Sequence, residues 1–260
     1  MTNRPGEPIW YELLTDDIGK ARGFYAAVFG WTISAPPMTV PGAENYEIIG
    51  RPDGGFAGGA MPLTAEMIAG GARPGWLVYF GVADVDASVL KLRELGGGVI
   101  MEPFDIPMVG RVALVTDPQG HPFYLMRGAS AGTSDVFAEE PGLGRCGWNE
   151  LMTPDLESSL AFYADLLDLK VNERMDMGPD FGPYCFLDAG EKRLGAAMKG
   201  EPAGWRFYFH VADIDAAKAA VEGNGGQVLF GPQDVPGGSR IIIAADPSGA
   251  QFGAVGPAKE

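Results

Sequence analysis

Two glutamates stand at matched places in this chain, each inside a run that reads as a strand. Glu12 lies in Trp10-Tyr11-Glu12-Leu13-Leu14-Thr15, and Glu150 in Trp148-Asn149-Glu150-Leu151-Met152-Thr153. A carboxylate among apolar and aromatic side chains is costly unless paired, and otherwise takes a pKa suited to proton transfer. Glu12 and Glu150 are therefore the candidate general bases, with a structural ion pair as the alternative. Arg111 and Arg240 also recur at matched places. Either could grip a glutamate bidentately or hold an anionic ligand.

Other chemistries find no support. The chain has two histidines. His121 lies beside the Asp117-Pro118-Gln119-Gly120 turn, a solvent-facing place, and its counterpart is Ala250. His210 ends a strand, and its counterpart is Gly81. Both read as structural rather than as ligands. No glycine loop with Lys and Ser/Thr cradles a phosphate, despite 39 glycines. There is no Gly-x-Ser-x-Gly elbow, and so little histidine disfavours a nucleophile–His triad. Cys185, in an apolar strand, reads as a buried inert thiol.

The elements that position these residues are themselves duplicated. Trp10 to Tyr25 returns as Trp148 to Tyr163 at an offset of 138 residues. Gly75-Trp76 to Asp84, and Asp117-Pro118-x-Gly120, return at an offset of 129 as Gly204-Trp205 to Asp213 and Asp246-Pro247-x-Gly249. Such a repeat means two homologous domains, here read as 7–128 and 146–256 with a Gly/Ala/Ser-rich linker at 129–145. Each half repeats again. A short strand leads to a helix-capping Asp (Asp17, Asp84, Asp155, Asp213) and an amphipathic helix, which ends near Gly30, Gly96 or Gly225. Strands punctuated by Gly and Pro follow. The unit is strand–helix–strand–strand–strand, four times over. The halves differ mainly in one connection, 62–75 against 199–204.

Composition bounds the partners. With 46% hydrophobic and 10% aromatic residues the chain can fill real cores. A net charge of −15 argues against nucleic acid and against anionic lipid. Two cysteines without zinc-ligand spacing fit a reducing compartment. The first residues lack a signal-peptide pattern and no run of about 18 apolar residues occurs, so a cytoplasmic location is expected. The implied partner is a small molecule, with the two domains pairing within the chain as a monomer or dimer.

These motifs resemble the vicinal oxygen chelate superfamily, which includes glyoxalase I, bleomycin-resistance proteins and extradiol dioxygenases. The resemblance rests on Glu12 to Trp31, Val82 to Ala87, Glu94 to Val99 and Gly110 to Gly120, with their partners Glu150 to Leu169, Val211 to Ala216, Gly223 to Val228 and Ser239 to Gly249. It implies an α+β fold of tandem domains, each with two βαβββ modules curling an eight-stranded sheet into a cup. Enzymes of this family hold a divalent metal on His, Glu or Gln from the first and last strands. Counted from the landmarks, those positions are Trp10, Trp148, Val78, Phe207, Tyr124 and Gly253, none of which suits a hard or borderline cation. No cofactor is expected, and a divalent metal only as an alternative. The family's metal position faces the cup, so alternation brings Trp10, Glu12 and Trp148, Glu150 to it. Trp76, Phe80 and Tyr124 are expected in one cup and Trp205, Phe207 and Phe209 in the other, with plain core packing as the alternative. The expected function is binding of a small apolar or aromatic molecule in a metal-free cup. The alternative is a lyase or dioxygenase, using a Glu base or a divalent site not evident in the sequence.

Overall fold

A computed structural model describes residues 4–36 and 45–258. The first half runs β1 (Pro8–Thr15), α1 (Ile18–Phe29), β2 (Thr32–Ser34), β3 (Glu47–Gly50), β4 (Phe56–Pro62), α2 (Ala65–Ala69), β5 (Gly75–Gly81), α3 (Val85–Glu94), β6 (Gly98–Ile106), β7 (Gly110–Thr116) and β8 (Pro122–Gly128). The second runs β9 (Cys146–Thr153), α4 (Leu156–Leu167), β10 (Arg174–Asp176), β11 (Pro183–Ala189), β12 (Lys192–Lys199), β13 (Gly204–His210), α5 (Ile214–Gly223), β14 (Gln227–Asp234), β15 (Arg240–Ala245) and β16 (Gln251–Gly256). Two eight-stranded mixed sheets result, ordered β2-β3-β4-β1-β5-β8-β7-β6 and β10-β11-β12-β9-β13-β16-β15-β14. The fold is α+β. The longer connection of the first half carries the extra short helix α2, capped by Thr64.

Local chemistry sets the helix ends. Asp17, Asp84, Asp155 and Asp213 each accept a first-turn backbone N–H, satisfying donors that the helix itself cannot pair. Helix α1 stops at Gly30 in the left-handed region (φ 70°), where a side chain is disfavoured. Its counterpart Asp168 takes the same conformation at φ 57°.

Close backbone approach explains another recurring glycine. In β12 a Cβ at Gly195 would stand 1.8 Å from the Asn149 carbonyl oxygen, and in β4 one at Gly58 would stand 2.1 Å from that of Tyr11. Only glycine lets these strands lie so near.

By contact density the chain divides into two compact units. One joins the residues up to Trp10 with Leu77–Ser134 and Trp148–Trp205. Its core packs Phe80 on Trp205 at 5.4 Å and Phe123 on Tyr163 at 5.7 Å between ring centres. The other joins Tyr11–Trp76, Asp135–Gly147 and the residues from Arg206 onward. There Phe29, Trp31 and Phe209 pack at 4.5 to 5.7 Å, with Tyr11 against Phe207 at 5.0 Å. Aromatic clusters of this kind dominate core energetics, and deleting one such ring costs about 3–5 kcal/mol.

Each core contains a buried relay. In one, the Trp205 indole donates to the Tyr163 hydroxyl (3.0 Å), which donates to Asp117 (3.1 Å). In the other, Trp76 donates to Tyr25 (3.0 Å) and Tyr25 to Asp246 (3.1 Å). Burial, reinforced by the neighbouring aspartate, pushes both tyrosines well above their ordinary pKa. They stay protonated and serve as donors.

The expected linker is more ordered than its small-residue composition implies. In the unit containing Asp135–Gly147, Val136 and Phe137 are buried and Phe137 bridges to Cys146. Arg51 clasps Asp135 at 2.6 Å, and the Trp31 indole donates to the Gly144 carbonyl at 3.0 Å. Among the described residues no helix is long and apolar enough to cross a membrane.

Candidate functional site

The site assembles on one face of β9 and β11, wholly within the unit that contains Trp148–Trp205. Alternation puts Trp148 and Glu150 on the same face of β9 and Tyr184 and Phe186 on the same face of β11. Strand β12 lies between them, with Ala196 paired to Phe186 on one side and to Glu150 on the other. The Tyr184 hydroxyl donates to Glu150 Oε1 at 3.0 Å and accepts from the Trp148 indole at 2.9 Å. Glu150 is buried, while Trp148, Tyr184 and Phe186 keep part of their surface open. The three rings meet edge to face, Trp148–Phe186 at 6.1 Å and Tyr184–Phe186 at 5.6 Å. The Arg193 guanidinium caps Phe186 at 4.3 Å and is itself tied to Asp188 and Glu173. An aromatic wall around one oriented carboxylate can hold a flat molecule and take or share its proton.

Strand β1 carries the counterpart. Glu12 is fully buried and pairs in register with Gly59 of β4. A Cβ at Gly59 would stand 2.0 Å from the Tyr46 hydroxyl, so the tyrosine lies directly over that strand. Tyr46 precedes Tyr184 by 138 residues, the offset that also separates Glu12 from Glu150. The tyrosines were absent from the expected site set, although this shared offset would have found them.

The arginines do not serve the glutamates. Arg111 pairs with Asp86 at 2.5 Å and Asp105 at 3.2 Å, and Arg240 with Asp215 at 3.2 Å and Asp234 at 3.3 Å. Asp86 and Asp215 sit in the first turns of α3 and α5, so both arginines fasten a helix to its strand. Odd-numbered positions of β7 face α3, a parity invisible without the register.

Five expected ligand residues face the helices instead. Trp76 packs on Tyr25, Phe80 on Phe123, Trp205 on Tyr163, and Phe209 on Phe29, while Phe207 is wholly buried against Tyr11. The cause is a one-residue error in register, which turns every side chain to the opposite face. Counted back from the helix caps, Glu12 stands five residues before Asp17, and Tyr79 five before Asp84. Likewise Glu150 stands five before Asp155, and Tyr208 five before Asp213. Tyr79 and Tyr208 thus hold the glutamate's place in the second modules. Tyr124 does lie on that face, its ring stacked on Tyr79 at 4.0 Å.

With the register corrected, the metal-ligand positions of the second modules are Leu77 and Arg206 rather than Val78 and Phe207. These residues do not fit a divalent cation. Leu77 offers no lone pair and Arg206 brings a positive charge. At Gly253 a Cβ would meet the Tyr208 ring at 2.1 Å, which leaves no room for a carboxylate. Among the described residues no group of three or more His, Cys, Asp or Glu could hold a metal ion.

The histidines are more enclosed than their sequence settings suggest. His121 is not solvent-facing: its side chain is 11% exposed and its Nδ1 meets Asp117 at 2.9 Å. His210 lies over Gly147, and burial together with the Arg145 charge lowers its pKa. Two open cavities of about 210 and 310 Å³, which share Leu143, Val211 and Ala212, include none of the expected site residues.

Comparison with known proteins agrees with this architecture. A family model described as Glyoxalase/Bleomycin resistance protein/Dioxygenase superfamily matches residues 142–253, and one described as Bleomycin resistance protein-like N-terminal matches residues 9–40. The chain is 35% identical over 264 residues to Putative glyoxylase CFP32 of Mycobacterium tuberculosis, covering 99% of this chain and 97% of that one. It is 33% identical over 266 residues to the anthracycline biosynthesis protein DauV of Streptomyces sp. strain C5, covering 96% and 93%. Among solved structures, the Mn(II)-bound glyoxalase from Novosphingobium aromaticivorans matches with a TM-score of 0.64 at 18% identity, over 99% of this chain and 84% of that one. The 2,2',3-trihydroxybiphenyl 1,2-dioxygenase of Sphingomonas wittichii strain RW1 gives a TM-score of 0.64 at 15% identity, over 97% and 90%. At these identities the structural likeness speaks for the fold. The chain belongs to the glyoxalase/bleomycin resistance protein/dioxygenase superfamily.

Proposed function

We propose that this protein binds a small, largely aromatic molecule without a metal ion, against the face of β9–β12 that carries Trp148, Tyr184, Phe186 and Glu150. The observation that carries this reading is the Trp148–Tyr184–Glu150 chain of hydrogen bonds, which presents one oriented carboxylate beside rings that keep open surface. The relationship to an anthracycline biosynthesis protein supports a fused-ring aromatic as ligand. Residues Trp10, Glu12 and Tyr124 are the corresponding ligand-facing positions of the first sheet. The replacement of metal-ligand types by Trp148, Arg206 and Gly253 supports metal-free binding.

Titrating the protein with an anthracycline while following tryptophan fluorescence tests the proposal. Saturable quenching that Trp148→Phe reduces is the expected result, with stoichiometric Zn, Ni, Fe or Mn absent from elemental analysis. No quenching, or a stoichiometric metal, overturns it.

A second reading, favoured by the kinship to a protein described as a glyoxylase and by the near-complete burial of Glu150, makes that glutamate a general base. Glu150→Gln would then abolish turnover of an enolisable carbonyl substrate while leaving its binding intact.

A further inference from the structure

The direction of the hydrogen-bond chain at Glu150 is fixed by chemistry. An indole N–H can only donate. Trp148 therefore donates to the Tyr184 oxygen, and the one phenolic proton points along the remaining contact, to Glu150 Oε1. At that oxygen Glu150 must accept. The polarity Trp to Tyr to carboxylate is the same as in the buried relays through Tyr25 and Tyr163. In the core relays the acid is an aspartate enclosed behind the strands. At Glu150 the chain ends instead among rings that keep open surface.

A carboxylate offers about four lone-pair sites, and Tyr184 occupies one of them. Holding Glu150 as an acceptor determines what a ligand must bring to it. A ring bearing only ether or carbonyl oxygens would set lone pair against lone pair. A ring bearing O–H or N–H would complete the acceptor's geometry. We infer that the aromatic ligand of this face is a hydrogen-bond donor, a phenol or hydroxyquinone, whose hydroxyl Glu150 receives, and that Tyr184 is the positioning residue that sets this preference. The inference rests on the binding proposal above and narrows it to a substrate class.

Three probes of nearly equal size separate the possibilities: 1-naphthol, 1-methoxynaphthalene and naphthalene, each titrated into the full-length protein by tryptophan quenching. The expected result is a tenfold or greater preference for 1-naphthol over 1-methoxynaphthalene, about 1.4 kcal/mol or more. Glu150→Gln, which is isosteric and adds an N–H donor, should erase that preference. Tyr184→Phe should weaken it several-fold and raise the pH at which it disappears, because a carboxylate that loses a donor takes up a proton more readily. A merely structural role for Tyr184 would lower all three affinities together and leave the pH dependence unmoved. Equal affinity of naphthol and methoxynaphthalene for the wild-type protein overturns the donor inference while leaving aromatic binding in place. Failure of all three to quench overturns both. Should Glu150→Gln fail to fold, the wild-type ranking and the Tyr184→Phe pH dependence decide the matter.

Discussion

His121 Nδ1 lies 2.9 Å from Asp117 Oδ2, whereas the equivalent aspartate, Asp246, has Ala250 in the place of that histidine. The two carboxyls end matching Trp–Tyr relays yet shift in opposite directions. Burial pushes Asp117 up, but hydrogen bonds from the His121 side chain and backbone outweigh it and hold the carboxyl below its usual range. Burial also pushes Asp246 up, and there the hydrogen bonds from Ala250, Tyr25 and Ser248 only partly offset it.

Opposite pH dependence follows. A depressed folded-state pKa contributes stability above the unfolded value of about 3.9, which is lost as pH falls through the folded one. A raised folded-state pKa has the reverse effect: its penalty is present at neutral pH and relieved as pH falls through it. Asp117→Asn should therefore lower the unfolding midpoint at pH 7, and by less near pH 4. Asp246→Asn should be neutral or stabilising at pH 7, with the gain fading towards pH 4. Urea denaturation of both variants across this range measures the contrast. Matching pH profiles would contradict it.

Tyr25→Phe and Tyr163→Phe each strip a buried aspartate and a buried indole N–H of their common partner. Leaving such groups unsatisfied costs about 1–3 kcal/mol apiece. Either variant should lose at least about 2 kcal/mol in chemical denaturation, well beyond the removal of one hydroxyl from an exposed tyrosine such as none of these is. A loss below about 0.5 kcal/mol would mean that water replaces the phenol.

Gly195→Ala tests the close approach of β12 to β9. The new methyl would meet the Asn149 carbonyl at 1.8 Å, and a backbone atom cannot swing aside as a side-chain tip can. Overpacking of this kind costs about 1–3 kcal/mol or more, and the shift of β12 should also disturb Glu150, its register neighbour through Ala196. Reduced melting temperature together with weakened aromatic binding is the expected pair of results.

Metal independence is tested by chelation. Prolonged dialysis against EDTA should leave both melting temperature and aromatic binding unchanged, and readdition of Mn²⁺, Ni²⁺ or Zn²⁺ should shift neither. A metal-dependent rise of several degrees would show a site formed by residues other than Leu77, Arg206 and Gly253.

Much of the fold was legible because its signals are local. The aspartate caps, the glycine stops and the repeated Trp-x-Glu strands recur at fixed spacing, and each depends on backbone chemistry within a few residues. The site was legible only in part. Glu12 and Glu150 stand out because a carboxylate within an apolar strand is anomalous, but their tyrosines lie 34 residues further on, on another strand. The arginines recur just as faithfully and turned out to fasten helices, since recurrence marks a shared need without naming it.

The sequence by itself determined the duplication, the βαβββ module, the helix boundaries and the loss of metal-ligand residue types. Those follow from composition, periodicity and spacing. Which face of each strand meets the helices, and which donor reaches Glu150, was decided only in three dimensions. A strand's two faces differ by a single residue of register, and register is set by the neighbouring strands and the packed rings behind them. That is why Phe80 and Phe209 entered the core while Tyr79 and Tyr208 took the place of the glutamates.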